Sequence, residues 1–462
     1  MSKSLSASRG EGAVHPGERE VPKLISTLQS GYGASALRAD AMAGLTVAVV
    51  ALPLSMAIAI ASGLGPEKGL FAAIVGGFLV SALGGSRFQI GGPAGAFVVV
   101  IAAILERHGY DGLLPAMGLA GVMMIAAGFL RLGDYIKYIR FPVTVGFTAG
   151  IAVIIFTSQM REILGLDMAK EPAAFYPKLL AIGKAISSFR PAAFAVALAG
   201  IGVILALRRW RPQWPGLLIA VVVCTLASAF LKLDIATIGS RFGEIPATLP
   251  APSIPPVSLA KLYAVFPDAL TIALLGSIES LLSAVVADGM SGDRHRSNIE
   301  LVAQGAANLA ATFFAAMCVT GTIARTATNI RANAHGPVSG MLHALFLLLF
   351  MLAAAPLAAY IPLAALGSVL AIVAWNMFEK REFASLLRSS WGDAAVLLVT
   401  FLLTVFADLL IAIAAGTVMG AFLFMHRMAE SVEIGAGATS PSNEPATPRA
   451  ANFTDEILVY TI

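Results

Sequence analysis

Residues 87–97 read Arg-Phe-Gln-Ile-Gly-Gly-Pro-Ala-Gly-Ala-Phe, a glycine-rich break in a chain that is otherwise apolar along most of its length. The Gln-Ile pair suits a short extended stretch, and Pro93 suits the first turn of a helix, where its missing N–H costs nothing. Non-helical backbone at membrane depth survives only where protein or a water-filled cavity surrounds it. The stretch therefore predicts a half-helix whose free N–H groups point into an interior cavity, a geometry that attracts anions. Taken alone, a proline-capped loop at the membrane surface fits it equally well.

A second break, Val-Thr-Gly-Thr-Ile-Ala-Arg-Thr-Ala-Thr-Asn at residues 319–329, lies in the matching position of the other half of the chain. Gly321 frees the backbone, and Arg325 stands where a second short helix is expected to begin. A guanidinium beside a helix N-terminus adds a full charge to the partial charge of the dipole. Two interrupted spans in matching positions indicate the substrate site of a transporter. The alternative for Arg325 is an ion pair with Glu279 or a position at the membrane interface.

The composition requires a lipid-facing surface. Apolar residues make up 58% of the 462 residues and charged residues only 13%, whereas a soluble domain carries about a quarter of its residues charged. The net charge of +4 is explained by Lys and Arg in cytoplasmic loops rather than by binding to nucleic acid. The sequence contains no Walker motif, no Gly-x-Ser-x-Gly elbow and no cluster with metal-ligand spacing. These observations argue against an enzyme, an ATP-driven pump and a metal site.

Apolar stretches of membrane-spanning length follow one another from residue 41 to residue 425. We count fourteen: 41–62, 67–84, 93–105, 113–130, 142–159, 191–207, 214–231, 267–287, 299–317, 325–335, 337–354, 361–377, 393–407 and 409–425. The third and the tenth are too short to cross a bilayer alone. An even count places both termini on one side, and the excess of Lys and Arg in the short loops predicts that this side is cytoplasmic. Seven segments per half require the two halves to be inverted relative to each other.

Glu279 is a charged residue in the middle of an apolar span. A charge near the bilayer centre costs roughly 3 kcal/mol, so such a side chain faces a cavity or a partner. A carboxyl in that position can carry a proton together with the substrate. Ser283, one helical turn further, together with Ser280 allows a cation such as Na⁺ to bind instead. A purely structural ion pair with Arg325 is the alternative.

Several stretches resemble the SulP anion transporter family, also called sulfate permeases or solute carrier 26-like proteins. They are DAMAGLTVAVVALP at 40–53, residues 89–95, ESLLSAVVAD at 279–288, SNIELVAQGAAN at 297–308 and RTATNIRANAHGPVS at 325–339. The resemblance implies an all-α polytopic membrane protein with fourteen segments in two inverted sets of seven and a short strand before half-helices 3 and 10. It further implies a core of segments 1–4 and 8–11 that moves like an elevator against a gate of segments 5–7 and 12–14, in a homodimer.

The resemblance also implies that the anion lies between the facing N-termini of the two half-helices. The substrate-binding residues expected from it are Ser55, Pro93, Ala94, Gly95, Ala96, Gly321, Thr322, Ile323, Ala324, Arg325 and Thr326. Glu279 matches the acidic position that the family links to cation coupling, with Ser283 beside it. Sodium-dependent members carry Asp and Thr at these two positions and lack a charge where Arg325 stands, a combination that favours H⁺ over Na⁺ as the coupling ion here. No other cofactor is expected.

The resemblance and the residues together favour a proton-coupled symporter in a bacterial-type inner (plasma) membrane. Because Ala94 replaces a hydroxyl residue found in some members, a dicarboxylate such as fumarate is favoured, with bicarbonate and sulfate open. The alternatives are an uncoupled anion channel or uniporter, a Na⁺-coupled bicarbonate symporter, and a membrane scaffold that binds an anion without transport. A nucleobase–cation symporter shares the architecture, but Arg325 argues against a neutral substrate.

Three regions are expected along the chain. Residues 1–39 are predicted to form a cytoplasmic N-terminal tail and residues 40–430 the transmembrane domain. Residues 431–462 are predicted to form a linker, rich in Gly, Ala, Ser, Pro and Thr, and the first strand of a truncated STAS domain.

Overall fold

The protein is described from a computed structural model, which describes residues 21–136, 141–168, 171–407, 409–431, 435–436 and 460–461. Over these residues the chain is mostly helical. The α-helices are α1 (Lys23–Gln29), α2 (Ala34–Ala61), α3 (Pro66–Phe71), α4 (Gly77–Leu83), α5 (Phe97–His108), α6 (Tyr110–Phe129), α7 (Gly133–Ile136), α8 (Phe141–Leu164), α9 (Phe175–Ala185), α10 (Pro191–Trp210), α11 (Gly216–Phe230), α12 (Ile238–Phe242), α13 (Leu259–Ser291), α14 (Ser297–Phe313), α15 (Ile323–Arg331), α16 (Val338–Ala358), α17 (Leu363–Met377), α18 (Lys380–Ser389), α19 (Trp391–Phe406) and α20 (Leu409–Ser431). A π-helical turn, Ala72–Gly76, joins α3 to α4.

Each of the fourteen predicted segments coincides with a helix of the structure. In order, they are α2, α3 with α4, α5, α6, α8, α10, α11, α13, α14, α15, α16, α17, α19 and α20. Eight helical stretches in the described ranges are long and apolar enough to cross a membrane. Large apolar side chains such as Phe129, Trp210 and Phe230 are exposed on the helices, as a surface in contact with lipid requires. The chain is therefore an all-α polytopic membrane protein, as predicted.

Two short strands cross where the sequence is interrupted. Strand β1 (Gly91–Gly92) pairs antiparallel with β2 (Thr320–Gly321), with Gly91 opposite Gly321 and Gly92 opposite Thr320. The predicted strand before each half-helix is thus confirmed. Because the strands are antiparallel and each leads into a half-helix, α5 and α15 leave the crossing in opposite directions.

Glycines allow close contact between α6 and α14, two helices that pack extensively on each other. A Cβ atom on Gly121 would lie 2.7 Å from the carbonyl oxygen of Gly305 and 2.9 Å from the backbone nitrogen of Leu309. Such contacts need small residues on both helices. They fix α14, and the loop that follows it, against the first half of the chain.

The helices pack in two sets around the crossing. Helix α2 packs on α16, and α13 and α14 pack on α6, while α8 packs on α17 and α19, and α10 on α11 and α17. The predicted division into core and gate remains a prediction, to which this packing pattern conforms.

Most of the two predicted terminal regions lies outside the described residues. Near the C-terminus, the strands β3 (Gly435–Ala436) and β4 (Tyr460–Thr461) pair antiparallel. Tyr460 and Thr461 belong to the predicted opening strand of a STAS domain, and the assignment to that domain stays a prediction.

Candidate functional site

The first half-helix begins later than predicted. The sequence placed its start at Pro93, but α5 begins at Phe97, and Pro93 lies before it in irregular backbone. The reason is a tight opening turn, in which the N–H of Phe97 donates to the carbonyl oxygen of Ala94 at 3.2 Å. Pro93 therefore connects β1 to this turn and does not occupy the first helical position.

Arg325 joins the two half-helices. It lies in the first turn of α15 and is 1% exposed. Its Nη2 donates to Ser55 Oγ at 3.1 Å and to the carbonyl oxygen of Pro93 at 3.3 Å. Residues 93 and 325 are thus in direct contact, so the predicted meeting of the two breaks is what the structure shows.

The other two nitrogens of the Arg325 guanidinium differ from Nη2 in their contacts. Nε and Nη1 are buried and have no hydrogen-bond partner in the described part of the chain. Across the same residues, no carboxylate lies within 4.0 Å of the guanidinium to form an ion pair. A buried cation with unused donors is costly unless an anion approaches it. The arrangement suits a negatively charged ligand.

Gly92 makes room for this guanidinium. A Cβ atom at position 92 would overlap Nη1 of Arg325 and lie 3.0 Å from its Cζ. Any side chain larger than hydrogen would therefore push the guanidinium away from Pro93. The glycine of β1 and the arginine of α15 consequently form one structural unit.

The other predicted binding residues surround the same point but differ in burial. Thr322 is buried, and its N–H and hydroxyl both donate to the carbonyl oxygen of Ile90, at 3.0 and 3.3 Å. Ala94, Ala96, Gly321, Arg325, Thr326, Ser55 and Pro93 are also buried, whereas Ile323 and Ala324 are exposed. The tip of α15 is therefore accessible from outside the protein.

Gly95 shows what faces the half-helices. A Cβ atom there would lie 2.8 Å from Ile155 Cδ1 in α8 and 3.4 Å from the sulfur of Met377 in α17. The opening turn of α5 thus packs directly against the second set of helices. A ligand at the half-helix tips would lie between the two sets.

The predicted coupling residues are on α13, beside the second half-helix. Glu279 is half-buried, and its Oε2 is buried without a hydrogen-bond partner among the described residues. No ion pair within 4.0 Å joins it to Arg325 in this part of the chain. The structural ion pair considered as an alternative from the sequence is therefore not formed.

Ser283 links that helix to both breaks. It is fully buried, and its hydroxyl donates to Thr326 Oγ1 at 3.3 Å. The same Thr326 oxygen accepts the N–H of Ile90 at 3.1 Å. The Thr326 hydroxyl therefore connects Ser283 on α13 both to α15 and to the segment before β1, so a shift of α13 would be passed to both breaks.

Sequence reasoning missed a buried polar row on α14. Glu300 is fully buried, and its Oε2 accepts the backbone N–H of Gly85 at 2.9 Å. Gln304 donates to Glu300 Oε1 at 2.9 Å, and Asn308 exchanges two hydrogen bonds with the backbone of Val319, at 2.9 and 2.7 Å. These residues fix the chain segments that lead into the crossing. The signal was present in the sequence, because the three residues recur at intervals of four on one face of a helix.

Gln89 completes this support. Its Nε2 donates to Ser280 Oγ at 2.8 Å, and Ser280 Oγ donates in turn to Glu300 Oε1 at 3.4 Å. The residue next to Glu279 is thus connected to the segment before β1. Burial fixes these bonds because unpaired polar groups there would be costly.

Comparisons with known proteins agree with this architecture. The family model described as "Sulfate permease family" matches residues 37–400. YvdB of Bacillus subtilis, whose name assigns it provisionally to sulfate transport, is 44% identical over 412 residues, covering 89% of this chain and 78% of YvdB. Bicarbonate transporter BicA of Synechocystis is 34% identical over 407 residues, covering 85% of this chain and 70% of BicA. The solved transmembrane domain of a cyanobacterial BicA matches with a TM-score of 0.75 and 33% identity, covering 82% of this chain and 97% of that domain. The chain belongs to the sulfate permease family.

Proposed function

We propose that this member of the sulfate permease family is a secondary active transporter that moves a small anion together with a proton. That it is a multi-pass anion transporter and not an enzyme follows from the family. The coupling, the substrate and the transport movement are our proposal. The observation that carries it is the buried Arg325, which contacts Pro93 across the half-helix crossing and keeps two nitrogens without an acceptor among the described residues.

Electrostatics explains how these residues act together. The N-terminal ends of α5 and α15 present partial positive charge, and Arg325 adds a full charge in a water-poor setting. A bound anion neutralises that charge through charge-assisted hydrogen bonds. The loaded site then carries less net charge across the membrane than the empty site does.

Glu279 supplies the coupling in this proposal. An ionised carboxylate near the bilayer centre costs roughly 3 kcal/mol, and Glu279 Oε2 has no protein partner that offsets this cost in the described chain. Binding of a proton removes the charge, and binding of Na⁺ with help from Ser283 would compensate it. We favour the proton and keep Na⁺ as the alternative coupling ion, with no other cofactor.

The transport movement we propose is a rigid displacement of the core against the gate. Gly95 lies against α8 and α17, so a site at the tip of α5 changes its surroundings when the two sets of helices slide past each other. Such movement between packed units is a common form of alternating access. We propose a homodimer in a bacterial-type inner (plasma) membrane with both termini cytoplasmic.

For the substrate we favour a dicarboxylate such as fumarate. The half-helix tips bring together one guanidinium, Ser55 and small apolar residues such as Ala94, a combination that suits a planar carboxylate. Bicarbonate and sulfate remain candidates, because relatives carry the names of transporters for these anions. An uncoupled channel or uniporter is the second candidate for the mechanism.

Uptake into proteoliposomes tests the proposal. The purified chain is reconstituted, and labelled fumarate, bicarbonate and sulfate are supplied with a pH gradient, a Na⁺ gradient or neither. We expect accumulation above equilibrium when the outer solution is more acidic than the lumen. Accumulation that follows only the Na⁺ gradient would assign sodium coupling. Equilibration without accumulation under every gradient would contradict coupling and favour the channel or uniporter.

A further inference from the structure

Asp40 binds the connection that follows the second half-helix. It lies in α2 and is 0% exposed. Its Oδ1 accepts the N–H of His335 at 2.6 Å and the N–H of Gly336 at 2.9 Å, and its Oδ2 accepts the hydroxyl of Tyr32 at 2.6 Å. Both backbone donors belong to the short connection between α15 and α16. The carboxylate on α2 therefore holds the chain between the end of the half-helix at Arg331 and the start of α16 at Val338.

Asp268 has the matching position in the other half of the chain. It lies in α13 and is 5% exposed. Its Oδ1 accepts from Arg107 Nη2 at 2.5 Å, and its Oδ2 lies 3.2 Å from His108 Nε2. Arg107 and His108 are the last two residues of α5, immediately before Gly109 and α6. Here a carboxylate on a long helix holds the outer end of a half-helix directly, whereas Asp40 holds the connection that follows one.

The two contacts repeat each other across the halves. Asp40 lies in α2, in the first half of the chain, and holds the connection that follows α15, the half-helix of the second half. Asp268 lies in α13, in the second half, and holds the end of α5, the half-helix of the first half. From this reciprocal arrangement we infer that Asp40 and Asp268 are positioning residues for the anion site. They set how closely the tips of α5 and α15 approach each other. The inference deepens the proposed function and rests on it.

Helix geometry makes such anchors effective. Helices α5 and α15 contain only 12 and 9 residues, and short helices behave as nearly rigid rods of about 1.5 Å per residue. Moving the outer end of such a rod moves its N-terminus by a comparable amount. The donors at the tip then no longer converge on one anion, and electrostatic stabilisation of the ligand falls.

The chemistry of the two anchors differs, which provides matched variants. Asp40 binds neutral backbone N–H groups, so Asp40→Asn keeps an acceptor oxygen for both and should preserve the anchor. Asp268 binds Arg107 and His108, so Asp268→Asn loses the ionic part of the contact. Asp40→Ala and Asp268→Ala each remove one of the two anchors completely. Asp111→Ala, at an exposed position in the first turn of α6, is the control.

The experiment measures KM and maximal rate in proteoliposomes with labelled fumarate, bicarbonate and sulfate, and in parallel the anion-dependent rise in melting temperature of the purified chain. We expect KM to rise roughly tenfold in Asp40→Ala and Asp268→Ala, the effect of losing hydrogen bonds to a charged group. The maximal rate per folded molecule should change little. Asp40→Asn and Asp111→Ala should stay within about threefold of the wild type on the same scale.

Two results would overturn the inference. One is an unchanged KM in both alanine variants, and the other is a fall in maximal rate with KM unchanged, since general destabilisation has that effect. If an alanine variant does not fold, Tyr32→Phe and Arg107→Ala replace it, because each removes a single contact. Both should raise KM by a smaller factor. A KM unchanged in both would contradict the inference. Absence of uptake by the wild type would refute the proposed function separately. The thermal shift then still decides the anchoring, because full anion stabilisation in both alanine variants would refute it.

Discussion

The guanidinium of Arg325 is 1% exposed, and two of its nitrogens have no hydrogen-bond partner among the described residues. Removing one partner of a buried charge is normally strongly destabilising, so such a group persists where a ligand completes its contacts. Here Nη2 of Arg325 donates to Ser55 and to Pro93, which leaves Nε and Nη1 as the nitrogens that a ligand can bind. Arg325 is therefore the residue on which anion affinity should depend most.

Replacing Arg325 with alanine should weaken anion binding by about 2 kcal/mol or more, the value of one or two hydrogen bonds to a charged group. This corresponds to a dissociation constant roughly thirtyfold higher. Arg325→Lys should be intermediate, because an ammonium keeps the charge and loses the planar fork. Anion-dependent thermal stabilisation measures the effect, and Arg331→Ala at the exposed end of the same helix is the control. Wild-type affinity in Arg325→Ala would remove the residue from the site.

Glu279→Gln tests the coupling. Glutamine keeps the size and polarity of the side chain but cannot take up a proton, so a pH gradient should no longer drive accumulation. Equilibrium exchange of the same anion and its binding should persist, because Glu279 makes no ion pair with Arg325 within the described chain. Proteoliposome uptake with and without the gradient measures both. Accumulation equal to the wild type would show that the proton travels elsewhere.

At the scale of elements, close packing of α6 on α14 should be intolerant of added volume. A methyl group at position 121 would press on the backbone of Gly305 and Leu309, and overpacking of this kind costs about 1–3 kcal/mol. Gly121→Ala should therefore lower the melting temperature in detergent. Gly202→Ala, on α10 with open space around the new methyl group, should leave it nearly unchanged. Equal melting temperatures for the two variants would contradict this account of the contact.

The sequence predicted the elements well because their signals are local. Length and apolarity predict a helix at each of the fourteen segments, and the Gly-Gly-Pro and Thr-Gly-Thr stretches locate both interruptions. The start of α5 was misplaced because proline is equally acceptable just before a helix and in its first turn. Chain position alone can predict that the two breaks belong to one site, but not the register of Gly91 opposite Gly321.

Long-range polar contacts were beyond such reasoning. Gln89 meets Ser280, and Glu300 meets Gly85, across more than 190 residues of chain. Nothing in the local pattern around Gln89 or Gly85 specifies a partner that distant. Only the recurrence of Glu300, Gln304 and Asn308 along α14 indicates a polar helix face, and this pattern does not predict which residues the face contacts. The residues at the two half-helix tips could be predicted to lie together, and the residues that hold them could not.

At the scale of the whole molecule, the site lies where two sets of helices meet, and an elevator requires that these sets move relative to each other. One contact between them lies away from the site: the N–H of Ala173 donates to Glu106 Oε2 at 3.2 Å. Glu106 is in the half-helix α5, and Ala173 shortly precedes α9, which packs on α8 and α19. A covalent link between these positions would tie a core segment to the gate.

The cross-link gives a direct test of that movement. Glu106→Cys and Ala173→Cys are combined in a chain whose two native thiols, Cys224 and Cys318, are replaced by alanine, and a short bifunctional, reducible thiol reagent joins them. We expect the linked protein to bind the anion but to lose transport, since one conformation is trapped, and reductant should restore transport. Each single-cysteine variant treated with the same reagent is the control. A channel requires no displacement between the sets, so a fully linked protein that still conducts the anion would refute the elevator and support the channel.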